Sequence, residues 1–409
     1  MPESNWAGIP YADLSPVQKE FLLAILRENN RNFLLRGCAG SGKTVCAAHA
    51  ARLLTGEGRS VKFVVYTKLL SKFVSDGFVG VGATIQEVDH YHSWRRFDIQ
   101  GQHDVIVVDE CQDFESDWVE RVKQHSSNQI WLGDASQQIY GEAMNDTGYL
   151  DITSEFNTDY VELKVNYRNS ISIAQLAKCF INVNAFDNIT LEEKVMDFIL
   201  PIQNNQRQTA EASNQPNVFI EARNEAEEYD AIAKIINELK GSAELEKRIA
   251  IAQLHHSHLN EIQSELEERG VELFRITRGK EELPNFRDKN LTILSPIHSL
   301  KGLELDYIIF PRTESYNIDF WEDEEINQNL MFVLFSRARK RIFCSYTDKD
   351  NSYVYNAIRG DINNDFFEFI SASDVLDEGA PVESEAEIAE KLENAESKLK
   401  EYFDDLEIE

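Results

Sequence analysis

The chain is predicted to be an α/β protein with two parallel-sheet domains and an acidic helical tail. Two patterns carry the prediction. Short unbroken apolar runs recur through the first ~155 residues and again from Val218 onward, each followed by a turn residue and then helical spacing. Such runs suit strands buried on both faces, and the strand–turn–helix rhythm is that of an open parallel sheet whose ligands sit at the carboxyl ends of its strands. The second pattern is a change in composition. The last 36 residues hold 14 acids against 3 bases, which sets them apart from the 373 residues before them. A chain of 409 residues has room for two or three domains.

In the first region the runs are Phe33-Leu34-Leu35, Phe63-Val64-Val65-Tyr66, Val105-Ile106-Val107-Val108 and Ile130-Trp131-Leu132, placed in a domain spanning 1–157. A second domain is placed at 158–372, with the Gln- and Asn-rich stretch 201–216 as an exposed connector inside it. There Val218-Phe219-Ile220 leads into a helix with Tyr229, Ile232, Ile235, Ile236 and Leu239 on one face. Ile249-Ala250-Ile251-Ala252 leads into another with Leu259, Ile262 and Leu266, stopped by Gly270. Strand-like runs follow at Val271–Arg275, Leu291–Leu294, Tyr307–Phe310 and Arg341–Tyr346. In the tail, 373–409, Ser384-Glu385-Ala386-Glu387 matches a capping box, and Ile388, Leu392, Ala395, Leu399, Phe403 and Leu406 recur at helical spacing. This segment reads as a short amphipathic helix packed on its own body or a frayed tail, or else as a docking helix for a protein partner or an acidic mimic of nucleic acid.

Lys and Arg number 41 against 71 Asp and Glu, a net charge of −30. That excludes a basic protein held to nucleic acid by overall charge, so any such contact must use a local basic track. The five cysteines, Cys38, Cys46, Cys111, Cys179 and Cys344, include no C-x-x-C pair, which points to a reducing compartment and no zinc ribbon. The opening residues lack a basic stretch followed by an apolar one, and no apolar run approaches the ~20 residues of a membrane span. A cytoplasmic protein without a membrane partner is expected.

Gly37-Cys38-Ala39-Gly40-Ser41-Gly42-Lys43-Thr44 follows a strand-like run and opens a helix-forming one, so G-x-x-x-x-G-K-[ST] stands in its required setting. Its glycines let backbone N–H groups curl around phosphate oxygens, and the helix N-terminus adds positive potential. Lys43 is expected to reach the β and γ phosphates of ATP, and the Thr44 hydroxyl to ligate Mg2+. Val105–Val108 ends in Asp109-Glu110. A buried strand gains nothing from two adjacent acids unless a cation or reacting group is near. Asp109 is therefore expected to hold Mg2+ through its water shell, and Glu110 to polarise the attacking water.

The residues that follow narrow the class. Asp109-Glu110-Cys111-Gln112-Asp113 precedes Gly133-Asp134-Ala135-Ser136-Gln137-Gln138-Ile139-Tyr140 and then Asn166-Tyr167-Arg168-Asn169-Ser170. Later come His298-Ser299-Leu300-Lys301-Gly302-Leu303-Glu304 and Phe335-Ser336-Arg337-Ala338-Arg339, and upstream lies Leu14-Ser15-Pro16-Val17-Gln18. This ordered set, over roughly residues 14 to 345, resembles the UvrD/Rep/PcrA-like branch of superfamily 1 DNA helicases. The resemblance implies two RecA-like domains with ATP in the cleft between them. It implies that Gln18 reads adenine, Tyr167 stacks on the base, Gln137 senses the γ-phosphate and Glu304 contacts the ribose. Arg168 and Arg337 would approach the γ-phosphate from the second domain. Charge develops on a transferring phosphoryl group, and the planar Arg fork suits it.

For single-stranded DNA the resemblance implies contacts at Tyr66 and Thr67, at His92, at Tyr140 and at His298. Where the family continues with arginines and an aromatic, this chain reads Gly141-Glu142-Ala143-Met144, and Pro296 stands where a threonine is usual. Both departures remove groups that grip a strand. Only about 40 residues separate Tyr66 from Asp109, and about 130 separate Arg168 from His298. The sizeable subdomains that larger helicases insert in those gaps do not fit, so a near-minimal motor is expected. It would hydrolyse ATP with Mg2+ and, if it translocates, move 3′ to 5′ on single-stranded DNA. The alternative is an ATP-driven switch or assembly subunit, for example beside a nuclease in anti-phage defence, with a protein partner on the acidic tail. The clusters His255-His256-Ser257-His258 and Asp89-His90-Tyr91-His92 read as loop or cap residues rather than metal ligands.

Overall fold

The computed structural model of the chain describes residues 9–28, 31–80, 88–91, 93, 101–134, 137–139, 148–156, 159–180, 215–242, 247–277, 282–288, 290–316, 324–361 and 365–379. These form an α/β structure of two wholly parallel sheets. The first holds β1 (Phe33–Gly37), β2 (Val61–Val65), β3 (Val88–His90), β4 (His103–Val108), β5 (Ser126–Gly133) and β6 (Val161–Leu163) in the order β3-β2-β4-β5-β1-β6. The second holds β7 (Asn217–Glu221), β8 (Ile249–Gln253), β9 (Phe274–Arg275), β10 (Thr292–Pro296), β11 (Leu305–Phe310), β12 (Ala338–Tyr346) and β13 (Phe367–Ser371) in the order β13-β7-β12-β11-β8-β10-β9.

The apolar runs became the interior strands. Val105–Val108 and Ile249–Ala252 are all buried, as parallel strands covered by helices on both faces must be. In the first sheet β4, β5 and β1 lie side by side. Their carboxyl ends therefore bring Asp109-Glu110, Gly133-Asp134 and the Gly37–Thr44 loop to one edge, the usual ligand crevice of such sheets.

Two boundaries differ from the sequence expectation. Val161–Leu163, placed in the second unit from the sequence, is β6 and pairs with β1 in the first sheet. The crossing between lobes follows it, because helix Ile171–Lys178 buries Ile173, Ala174 and Leu176 and packs on β7 and β12. The first residues of the acidic segment also belong to the fold. Helix Ala372–Glu378 is opened by a Ser371–Asp374 capping box and buries Ala372 and Val375 with Ile232 and Ile236. The Ser384 capping box and the apolar positions after it lie outside the described residues, as does the 201–216 connector up to 214.

Helix α1 (Pro16–Arg27), capped by Ser15, and helix α2 (Lys43–Gly56) cover the first sheet on the side of β1. Helix α3 (Lys68–Gly80) reaches the second lobe. Phe73 meets Phe286 edge to face at 5.4 Å, and the Asp76 carboxylate accepts from the Phe286 N–H at 3.3 Å. The apolar core is continuous across this junction, through Leu70 and Phe73 to Leu300 and Leu303. In the second lobe helix Glu225–Gly241 is N-capped by Asn224 and buries the expected face of Tyr229, Ile232, Ile235, Ile236 and Leu239.

That helix also buries Glu228 completely. Its Oε1 accepts from the Arg312 N–H at 2.8 Å and the Ser345 hydroxyl at 2.6 Å, while Oε2 has no partner. Burial raises its pKa to about 7 against the opposing pull of Ser345 and Arg312. The folded chain thus binds a proton there that the unfolded chain releases near pH 4.5. Its stabilising contribution is complete below that pH and is lost as pH rises through about 7. Glu228→Gln keeps the acceptor and removes the charge. Relative to the parent it should gain stability from pH 5 upward, reaching a gain of about 3 kcal/mol above pH 7. Urea unfolding at a series of pH values measures this, and a pH-independent difference would refute it.

Candidate nucleotide site

The loop after β1 is shaped by residues without Cβ atoms. Gly40 and Gly42 adopt φ of 73° and 86°, a region that side chains disfavour. A Cβ on Gly40 would overlap Asn166 Oδ1, and one on Gly42 would lie 2.6 Å from Gln18 Nε2. The backbone then passes directly into α2 at Lys43. Lys43 is buried, and its Nζ donates to the carbonyls of Gly37 at 2.7 Å and Cys38 at 3.1 Å. Ala39 and Ser41 are also buried, and the Ser41 hydroxyl has no partner in the protein. The Cys38 thiol points back to the Lys164 carbonyl at 3.8 Å. A helix N-terminus without a side-chain cap, a lysine and an orphan hydroxyl on a glycine-rich loop fit a polyphosphate.

Gln18 sits under this loop. Its Nε2 donates to the Ser41 carbonyl at 3.1 Å, and its Oε1 accepts from the Ser15 N–H at 2.9 Å. Both ends of the amide are thus engaged in bracing the loop and capping α1.

At the end of β4 the Asp109 carboxylate meets the Thr44 hydroxyl at 2.6 Å. Two adjacent oxygens of this kind are the donor set of a hard divalent cation. Burial, and next the neighbouring Glu110, raise the Asp109 pKa to about 6. Glu110 takes the left-handed conformation, φ 59° and ψ 41°, which turns the chain sharply after the strand. Burial opposes its charge, but Lys301, Arg337 and Lys43 outweigh burial and hold its carboxyl below the ordinary range. Gln112 orients it, donating to Glu110 Oε2 at 2.6 Å while accepting from the Asp134 N–H at 3.1 Å.

The second lobe closes the site. Arg337, fully buried before β12, donates through Nη2 to Gln137 Oε1 and through Nε to the Val333 carbonyl at 3.1 Å. Gln137 in turn donates to Asp134 Oδ2 at 2.5 Å. Burial, then Arg168 beside it, lowers the Arg337 pKa to about 10, which leaves it cationic at neutral pH. Arg168 donates to Glu304 Oε1 through Nη2 at 2.8 Å and Nε at 3.1 Å. Burial opposes the Glu304 charge, but Arg168 foremost, then Arg339 and Arg248, holds its carboxyl below the ordinary range. The acid expected at a ribose is therefore a partner of the arginine expected at the γ-phosphate. Tyr167 is half-buried and its N–H donates to the Gly40 carbonyl at 2.8 Å.

Lys301 is a site residue that the sequence reading did not single out. From the loop after β10 it crosses to the first lobe, where its buried Nζ bonds Asp113 Oδ2 and the Gln137 carbonyl and lies 3.7 Å from Glu110 Oε2. Its position within the His298–Glu304 block was the available signal. Asn329 adds another crossing, donating to the Gln138 carbonyl at 3.0 Å.

The residues expected on the nucleic acid fare differently. Tyr66 is buried in an aromatic cluster, stacked on Tyr91 at 5.0 Å and edge-on to Phe114 at 5.4 Å. A ring so enclosed offers no face to a base, which corrects the expectation. Thr67 is also employed within the fold, its hydroxyl accepting from the Leu70 N–H at 3.1 Å to cap α3. His298 is half-buried on the turn Ile297–Leu300 beside the site. His92 and Tyr140, with Gly141–Met144, lie outside the described residues. Among the described residues no cluster of His, Cys, Asp or Glu has the form of a metal site built from those side chains alone, and no helix is long and apolar enough to cross a membrane.

Residues 13–187 match the AAA domain family, and residues 161–283 match the family of UvrD-like helicase C-terminal domains. No curated protein matches the chain by sequence. In fold the chain is similar to S. cerevisiae Dbp5 bound to RNA and ADP BeF3, at a TM-score of 0.55 and 14% identity, covering 93% of this chain and 94% of that one. A variant of Dbp5 with the same ligands gives 0.51 and 12%, covering 96% of this chain and 100% of that one. The two parallel sheets thus resemble the tandem RecA-like domains of Dbp5.

Proposed function

We propose that the chain is a compact UvrD-like superfamily 1 helicase, on the strength of its two domain matches, and that it hydrolyses ATP with Mg2+ between its lobes and uses the cycle to work on single-stranded DNA. The family's domains are those of ATP-dependent nucleic-acid motors, and a P-loop domain implies a nucleotide. The observation that carries the reading is the contact of Arg337 with Gln137, which brings a second-lobe cation within the electrostatic reach of Glu110. In this reading the Gly37–Thr44 loop would hold the polyphosphate, and Thr44 with Asp109 would hold Mg2+, whose charge would offset that of the phosphates. Glu110 takes a proton from the attacking water, and Arg337 and Arg168 face the charge that develops on the γ-phosphate. Arginines supplied across a cleft make lobe closure depend on nucleotide state, which turns hydrolysis into motion. Movement would run 3′ to 5′.

The burial of Tyr66 and the engagement of Thr67 support a second reading, an ATP-driven switch that grips DNA weakly and acts on a protein partner. Steady-state ATPase assays with and without single-stranded DNA decide between the two. A motor should be stimulated severalfold at low salt, with stimulation falling steeply as salt displaces the phosphate contacts. Because Dbp5 is seen bound to RNA, an RNA oligonucleotide of the same sequence belongs in the assay. Stimulation by neither strand would overturn the motor and favour the switch.

A further inference from the structure

Both arginines of the second lobe hang on a buried amide pair, Asn166 and Asn169, each with no exposed surface. Asn166 faces the phosphate loop. Its Oδ1 occupies the place a Cβ on Gly40 would take, and the next residue, Tyr167, donates its N–H to the Gly40 carbonyl at 2.8 Å. The same Oδ1 accepts from the N–H groups of Arg168 at 3.0 Å and Asn169 at 3.3 Å. Asn166 Nδ2 donates to Asn169 Oδ1 at 2.9 Å. Asn169 Nδ2 then spends both protons on the carbonyls of Ser336 at 3.0 Å and Ala338 at 2.7 Å, the residues on either side of Arg337. Arg168 Nη1 reaches that Ser336 carbonyl too, at 3.3 Å.

We propose that Asn169 is a positioning residue that fixes Arg337 relative to the phosphate loop, braced by Asn166, which itself holds the backbone of Arg168. A carbonyl gripped on each side of Arg337 leaves its Cα little freedom, and a backbone N–H held by Asn166 does the same for Arg168. Amides suit the task because only they offer an acceptor and two donors in one plane, and buried groups so matched are costly to leave unpaired. The run therefore couples the loop in the first lobe to the arginines of the second by direct bonds from Gly40 to Ala338.

The inference rests on the proposed role of Arg337, so the test separates the two. Asn169→Asp keeps the shape and the acceptor for Asn166 but cannot donate to Ser336 and Ala338. Measured on the full chain, it should lower kcat for ATP by about 10- to 100-fold, the scale of a small misplacement of a reacting group, with KM changed less than about twofold. In an Arg337→Ala background the same substitution should cost no more than about twofold, because a group that acts through Arg337 has nothing left to position. Equal losses in both backgrounds, or a KM rising in step with the loss of kcat, would overturn the positioning role. An Arg337→Ala protein that turns over normally would instead overturn the reading beneath it. Should Asn169→Asp fail to fold, Asn169→Ser, which can still donate one bond, is taken through the same cycle and should fall between parent and Asp.

Discussion

Glu110→Gln should leave a protein that binds ATP and scarcely hydrolyses it, with kcat reduced by about 10²- to 10⁴-fold, the contribution of a positioned general base. A base at neutral pH must be ionised, and a carboxylate this buried would ordinarily resist ionisation. Here Lys301, Arg337 and Lys43 outweigh burial and hold the Glu110 carboxyl below its usual range. Two of those three cations come from the second lobe, so the base is charged most securely when the lobes are together. The left-handed turn at Glu110 and the Gln112 hydrogen bond fix its direction. Glutamine retains the size and the bond to Gln112 but cannot take a proton. Binding of radiolabelled ATP alongside single-turnover hydrolysis checks both halves of the expectation. Normal turnover would remove Glu110 from the role.

Much of this site was legible in the chain because its signals are local. A phosphate loop is eight consecutive residues between a strand and a helix, and the paired acids close an apolar run, so neither needs knowledge of distant contacts. Interior strands announce themselves for the same reason, since both faces are covered. The strands that carried no clear signal, β3, β6 and β13, are all sheet edges. Val88-Asp89-His90 and Val161-Glu162-Leu163 are too short and too polar to form an apolar run, as an edge open to solvent permits. Missing β6 is what set the expected boundary too early. Lys301 and Tyr66 were illegible for a different reason. A lone lysine in a loop reads as solvated until Asp113, 188 positions away, is folded against it. Tyr66 reads as a free ring until Tyr91 and Phe114 are seen to cover it. Both are questions of which distant segment arrives, which composition and spacing do not encode.

Arg337→Met should cost at least about 10³-fold in kcat, the lower end of what an arginine at a transferring phosphoryl group contributes. It should do so without loss of stability. Arg337 is fully buried, and its hydrogen-bond partners are neutral: the Val333 carbonyl, the Gln137 amide oxygen and the Ser336 hydroxyl. Arg168 stands close enough to lower its pKa further. A cation placed so deep with no bonded carboxylate is costly to the folded state, and an apolar side chain of similar length relieves that cost. Thermal unfolding of the variant should therefore come at the same temperature as the parent or higher. Arg337→Lys should not restore turnover, because a single ammonium cannot keep the Val333 bond and reach Gln137 in the plane of the fork. Loss of activity with a lowered melting temperature would mean that Arg337 serves the fold. Loss with an unchanged or raised one marks a charge kept at the expense of stability for the sake of the phosphate it faces.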